Sequence, residues 1–343
     1  MPLLNVPRLA RSDDRTRFVL EPERIAEMVD VATRRAPVSG MVAASFDFFV
    51  DWERRQLEGY AWVKRALPAG CKLPTSRREL EAAVAGDPAI RRCCRLAHGQ
   101  GNGVTVAIFD DARDWSRSTG RDILMVNLPP DGPMRMTPVT LAQLQAAIQL
   151  KSGGPMRIGS KGLVLSTTAL EAHLSKTSAP WPGDADLVVF GAHDREPRCV
   201  IELKKHTEKS RLPFDAQRVE NYAGPGGPDQ RKYDRLSLLA EQVSVGAPLP
   251  LYTLYYSTER TQEDLRLERV TRDGAGGFRG RPVATIGQSY RLPTQVLEAV
   301  YAAARQDAVA HPPLAGVRSA TLIAPRTPRA SVTKRPASHD HER

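Results

Sequence analysis

Apolar residues along the chain recur in two rhythms, one close to the turn of a helix and one close to the alternation of a strand. Ile25, Met28, Val29 and Ala32 fall at helical spacing and predict a helix opening near Glu21. Phe46, Phe49, Val50, Leu57, Tyr60 and Val63 predict a second helix over 45–67, with the aromatic stripe packed into a core. Ser76 followed by Glu79 is a capping box that opens a short helix ending at Ala85. Strands over 104–109 and 123–128 and a helix over 140–150 complete an α+β pattern. After a Gly- and Pro-containing break at 153–155 come a strand over 158–165, a helix over 168–174, and two short apolar runs, 187–190 and 199–203. Beyond the segment 214–222, Asp229 opens a helix whose apolar face is Tyr233, Leu236, Leu239, Ala240 and Val243. Strands over 251–256 and 265–270 and a helix from Thr294 close the ordered pattern.

Domain expectations follow from this order. At 343 residues the chain is long enough for two cores, and the break near 153 divides it into an α+β domain, 1–152, and an α/β domain, 153–306. Residues 1–18 are charged and expected to fray. From about His311 the chain is rich in Pro, Arg, Ser and Thr, and 307–343 is expected to be a disordered basic tail.

The two short runs 187–190 and 199–203 change the picture, because the second ends in the charged sequence Glu202-Leu203-Lys204-Lys205. They read as a hairpin turning through 191–198. Alternation puts Cys199, Ile201 and Leu203 on one face and Val200, Glu202 and Lys204 on the other. A turn centred on Asp194 places Asp186 opposite Glu202 and Asp184 opposite Lys204. Facing side chains have Cβ atoms ~5 Å apart, where like charges repel unless a cation lies between them. Carboxylate oxygens suit a hard divalent ion, Mg²⁺ or Mn²⁺, that keeps open positions for a phosphate. The ammonium of Lys204 would then orient or activate the attacking water.

Asp186 followed sixteen residues on by Glu202-Leu203-Lys204 resembles the PD-(D/E)xK nuclease superfamily over residues 155–305. The resemblance implies a restriction-endonuclease-like fold, a mixed sheet flanked by helices. It implies that Asp186 and Glu202 bind the metal and that Lys204 serves the water. The family's Pro normally stands directly before the Asp. Here Pro182-Gly183-Asp184-Ala185-Asp186 offers two acids, with Asp186 preferred because it abuts the apolar run and Asp184 second. Family members often add an acid from a preceding helix, and Glu171 is the loose match.

Charge agrees with a polyanionic partner. Lysines and arginines number 49 against 39 acidic residues, a formal net charge of +10. Lys205, Gln217, Arg218, Arg231 and Lys232 are the expected backbone-phosphate contacts, with DNA expected ahead of RNA. The implied activity is metal-dependent phosphodiester hydrolysis by an endonuclease of restriction, defence or repair type, with a homodimer for double-strand cutting. The alternative is a catalytically inactive nucleic-acid-binding or regulatory module on the same fold. A rival acidic group, Asp110, Asp111 and Asp114, stands after the strand 104–109 and reads more simply as helix capping. The glycines of 99–103 precede a strand instead of following one, so they make a turn and not a dinucleotide loop. Four cysteines without a paired spacing and an amino terminus without an apolar stretch lead to the expectation of a cytoplasmic protein.

Overall fold

The computed structural model describes residues 10–11, 23–67, 71–155, 165–166, 168–206, 212–244, 246–259, 262–287, 289–290 and 292–312. The first half runs β1 (Ala10–Arg11), α1 (Glu23–Arg34), β2 (Met41–Phe48), the short β3 (Val50–Asp51) and β4 (Gln56–Leu57), and β5 (Tyr60–Ala66). It continues with α2 (Arg77–Gly86), α3 (Pro88–Gly99), β6 (Gly103–Phe109), β7 (Ile123–Leu128), β8 (Arg135–Val139) and α4 (Leu141–Lys151). The second half runs β9 (Leu165–Ser166), α5 (Ala169–Leu174), β10 (Gly183–Gly191), β11 (Pro197–His206), α6 (Glu220–Ala223) and α7 (Gln230–Gln242). It ends with β12 (Leu251–Ser257), β13 (Leu265–Arg272), β14 (Phe278–Ile286) and α8 (Pro293–Ala310).

Ten strands form one mixed sheet in the order β14-β13-β12-β11-β10-β2-β5-β6-β7-β8. Neighbours are antiparallel except β5 with β6 and β11 with β12. A parallel pair needs a crossover, supplied by α2 and α3 in the first case and by α6 and α7 in the second. One face of the sheet packs against α2, α3 and α7, with Leu80, Ile90, Leu96, Leu236 and Leu239 in that core. On the opposite face α1 and α8 share a core with β10 to β13, and α4 and α5 share one with β5, β6 and β7. The molecule is thus mixed α/β with helices on both faces.

The element order repeats. Helix, two antiparallel strands, crossover helix, a strand parallel to the last and two antiparallel ones, then a helix, describes α1 to α4 and again α5 to α8. The halves meet where β2 pairs antiparallel with β10. The sheet therefore crosses position 152 without a break.

The structure corrects one expected element. Residues 45–67 are not a helix but β2, the β3–β4 ribbon and β5. β2 is buried on both faces apart from Ser45, so its apolar run is nearly continuous and its aromatics meet helical spacing without a helix being present. Arg55, with φ 51°, marks the turn between β3 and β4. Elsewhere α1, α2, α4, α5, α7, β6, β7, β12 and β13 lie where the pattern put them, and the caps Ser76 and Thr140 accept from Glu79 and Gln143 amides. β14 is an addition: an edge strand holding Gly280 and Pro282, residues that weaken the strand pattern. Residues 158–164, the amino-terminal stretch apart from 10–11, and the tail from 313 lie outside the described residues.

Candidate active site

The β10–β11 hairpin has the register expected of a turn centred on Asp194. Leu187 pairs with Ile201, Val188 with Val200 and Val189 with Cys199, which carries Asp186 to the position facing Glu202. The Asp186 carboxylate accepts a 2.8 Å hydrogen bond from the Leu203 amide, so it is tied to β11 beside the Glu. A bulge shapes the approach. Between Ala185 and Val188 the register of β10 against β2 shifts, and both residues enter the same core although simple alternation would separate them. The bulge sets Asp184 and Asp186 at an irregularity in the middle of the sheet.

Glu202 lies on the face covered by α7 and is 3% exposed. Lys232, from the first turn of α7, places its Nζ 2.6 Å from Glu202 Oε1 and 3.4 Å from Asp184 Oδ1. The other oxygen of Glu202, Oε2, is buried without a hydrogen-bond partner. Burial first, and then the neighbouring Asp186, push the Glu202 carboxyl well above its ordinary range. Burial likewise raises Asp186. Asp184, about half exposed, is lowered chiefly by Lys232. Burial works against the charge on Lys232, but Asp184, Glu202 and Asp186 together hold it protonated well above its usual value.

Several expected roles are corrected. Lys204 does not face Asp184. Its ammonium is paired with Asp229 at the start of α7 and sits 3.9 Å over the Tyr222 ring. Asp184 instead lies in register with Asp47 of β2. Glu171 belongs elsewhere too: its Oε2 is 3.4 Å from Lys64 Nζ, which is also 3.4 Å from Asp47. Lys64 packs over Trp181, on the face opposite Val63, so Glu171 does not join Asp186 and Glu202.

Of the expected phosphate contacts, Gln217 is buried and spends its amide on the Leu212 and Pro213 carbonyls. Its Nε2 thus holds the 212–217 loop in place, while its Oε1 is buried without a hydrogen-bond partner, so this side chain is turned inward and not toward a ligand. Arg218 donates to the Asp215 and Gln217 carbonyls. Lys232 is spent on the carboxylates. Arg231 remains exposed, with its guanidinium 5.3 Å over the half-buried Trp52 ring, and Lys205 is half-buried on β11.

Sequence reading passed over Asp47 and Lys64, which form a buried ion pair inside the segment taken for a helix. Burial lifts the Asp47 carboxyl to about 7 against the pull of Lys64. For Lys232 a signal was present: with Leu236, Leu239 and Val243 it repeats at steps of four, three and four, the spacing of the buried stripe of α7. The rival acids do cap turns. Asp110 accepts from Ala112, Asp114 from Ser116, and Asp111 from the Ala169 amide at the start of α5.

Among the described residues no three His, Cys, Asp or Glu side chains are gathered as a metal-holding group. What the site offers is two converging carboxyls, one with a buried oxygen lacking a donor, and a lysine ammonium seated between that carboxyl and a third. That arrangement can bind a cation or exchange one cation for another. No protein-family model matches the chain, and no curated protein or solved structure matches it either.

Proposed function

We propose that the chain is a metal-dependent nuclease of the PD-(D/E)xK kind acting on DNA, with its centre at Asp186 and Glu202. The observation that carries this reading is the convergence of those two acids across β10 and β11, one register step beyond the Leu187–Ile201 pair, with Glu202 Oε2 buried and receiving no N–H donor. A buried carboxylate oxygen without a donor is costly, and a divalent ion would satisfy it. The order α1, β2, β10, β11, α7, β12, with β12 parallel to β11, supports a restriction-endonuclease-like core whose first strand comes from the amino-terminal half.

Asp186 and Glu202 would hold Mg²⁺ or Mn²⁺, with Asp184 at the rim. The ion would polarise the phosphate and lower the pKa of a bound water. In the hydrolysis a water oxygen forms the new bond to phosphorus and the bond to one ester oxygen breaks. One water proton goes to solvent and the departing oxygen takes one up from solvent. The protein's part is to fix the carboxylates, bring a lysine ammonium to the developing charge, and present Arg231 and Lys205 to the backbone.

A second reading, an inactive nucleic-acid-binding module on the same fold, draws on the seating of Lys232 where a metal would lie and on the pairing of Lys204 with Asp229. One assay separates them. Plasmid and single-stranded DNA are incubated with Mg²⁺ or Mn²⁺, with and without chelator, using wild type, Asp186→Asn and Glu202→Gln. Chelator-sensitive cleavage lost in both variants is expected. Salt-sensitive binding with no cleavage by wild type would favour the inactive module, and cleavage unaltered in both variants would remove these residues from the centre.

A further inference from the structure

The repeat supplies an internal comparison for the site. In the second half Lys204 of β11 pairs with Asp229, which precedes α7. In the first half Arg65 of β5 pairs with Asp87, the cap of α3, at 2.9 Å. Aligning the halves on these pairs places Glu202 with Val63, two residues earlier on each strand. The sheet registers then carry the alignment sideways. Glu202 faces Thr253 and Thr253 faces Glu268, whereas Val63 faces Val106 and Val106 faces Val126. On the other side Asp186 matches Phe46, next to Asp47, whose own partner is Trp62. One row is therefore Asp, Glu, Thr, Glu, and its counterpart is Phe, Val, Val, Val, all buried in the core.

The helices diverge in the same way. Three residues after Asp229 stands Lys232, reaching Glu202 and Asp184. Three residues after Asp87 stands Ile90, wholly buried. The half whose row is apolar thus lacks the helix amine but keeps the strand cation paired with the helix-capping Asp. A pair kept where the facing row is apolar docks a helix on a strand, and a lysine found where the row is acidic goes with the acids. Lys204 has no free geometry either, being held by Asp229 and the Tyr222 ring.

Resting on the nuclease reading, we propose that the amine of this centre is Lys232 and that Lys204, the lysine of the strand motif, is a positioning residue. Lys232 from α7 donates to the non-bridging phosphate oxygen as charge builds there. Lys204 acts through Asp229, fixing the first turn of α7 from which Lys232 projects. With a metal on Asp186 and Glu202, Lys232 gives up Glu202 and keeps Asp184.

The test uses Lys232→Arg, Lys232→Met, Lys204→Met, Asp229→Asn and the Lys204→Met/Asp229→Asn double variant in the full chain. Cleavage is read on DNA, Mn²⁺ binding by the electron-spin signal of the free ion, and folding by thermal melting. Arg keeps the charge but cannot imitate a compact ammonium. Lys232→Arg is therefore expected to melt close to wild type and lose about 100-fold or more in cleavage. Lys232→Met should bind Mn²⁺ more tightly than wild type, having lost the competing cation. Lys204→Met and Asp229→Asn should weaken cleavage equally, with the double variant no worse than either. Full cleavage by Lys232→Arg, or a loss in Lys204→Met that far exceeds Asp229→Asn, would overturn the assignment. So would weaker or unchanged Mn²⁺ binding by Lys232→Met. Failure of the wild type to cleave at all would instead count against the nuclease reading.

Discussion

At position 202 a carboxyl is held out of water beside a second acid, and Lys232 offsets part of the cost of its charge. Because the folded state raises the Glu202 pKa, it binds that proton more tightly than the unfolded chain, so stability from this group is present at low pH and lost as pH rises. Glu202→Gln, which carries no such penalty, should keep or gain melting temperature relative to wild type as the pH is raised past neutrality, while losing cleavage. A variant that melts far below wild type at every pH would show that the Glu202 charge stabilises the fold. Asp47 follows the same sign with a defined window. Its carboxyl, lifted by burial to about 7 from 3.8, contributes stability below its unfolded value and loses it as pH climbs toward neutral, by at most about 4 kcal/mol. Denaturant titrations of wild type and Asp47→Asn at about pH 5 and about pH 8 should show the variant gaining on wild type at the higher pH. An equal difference at both pH values would refute the shift. The Asp47–Lys64 pair was hidden because 45–67 carries helical spacing, and the burial of Asp47 comes from β10, distant in sequence.

The elements around the site differ in how much of them was legible. The hairpin register came from its turn and its alternating faces, so Asp186 met Glu202 as expected, whereas Asp184 did not meet Lys204 because the bulge re-aims β10 before that point. β2 and β5 were hidden for a related reason: strands buried on both faces lose the alternation that identifies strands. α7 was legible as an amphipathic helix, and its packing sets where Lys232 stands. Leu236 is fully buried in the core under the sheet. Leu236→Ala should cost about 3 kcal/mol in urea unfolding and reduce cleavage as α7 loosens. A cost under about 1 kcal/mol would show that α7 is not held by this face.

Across the whole molecule the two halves share one sheet, with β2 and β10 at its centre and α1 packed with α8 from the other half. Cutting the chain after 152 would leave both central strands as open edges and expose the α1 and α8 surfaces. Fragments 1–152 and 153–343 should therefore each be unfolded or aggregated alone, judged by circular dichroism and gel filtration, and gain order when mixed. A cooperative unfolding transition in either fragment by itself would contradict this. One acidic row per chain among the described residues also predicts the product. A monomer should convert supercoiled plasmid to nicked circles, and linear DNA should appear directly only if two chains act together. With a formal charge of +10, binding should fall steeply as salt is raised.

What the amino-acid order settled by itself is local: the helix cap at Ser76, the amphipathic stripe of α7, the turn at Asp194, and the facing of Asp186 with Glu202. These depend on residues near in sequence, whose spacing determines which side chains share a face. What only the tertiary structure decided is which charges meet. Lys232 reaches Glu202 because a crossover brings α7 back over β11. Lys204 is drawn to Asp229 by the same crossover. Asp47 joins Asp184 because β2 and β10, far apart along the chain, pair at the sheet's centre. Partners of buried charges are chosen by contacts between distant segments, and no local pattern encodes them.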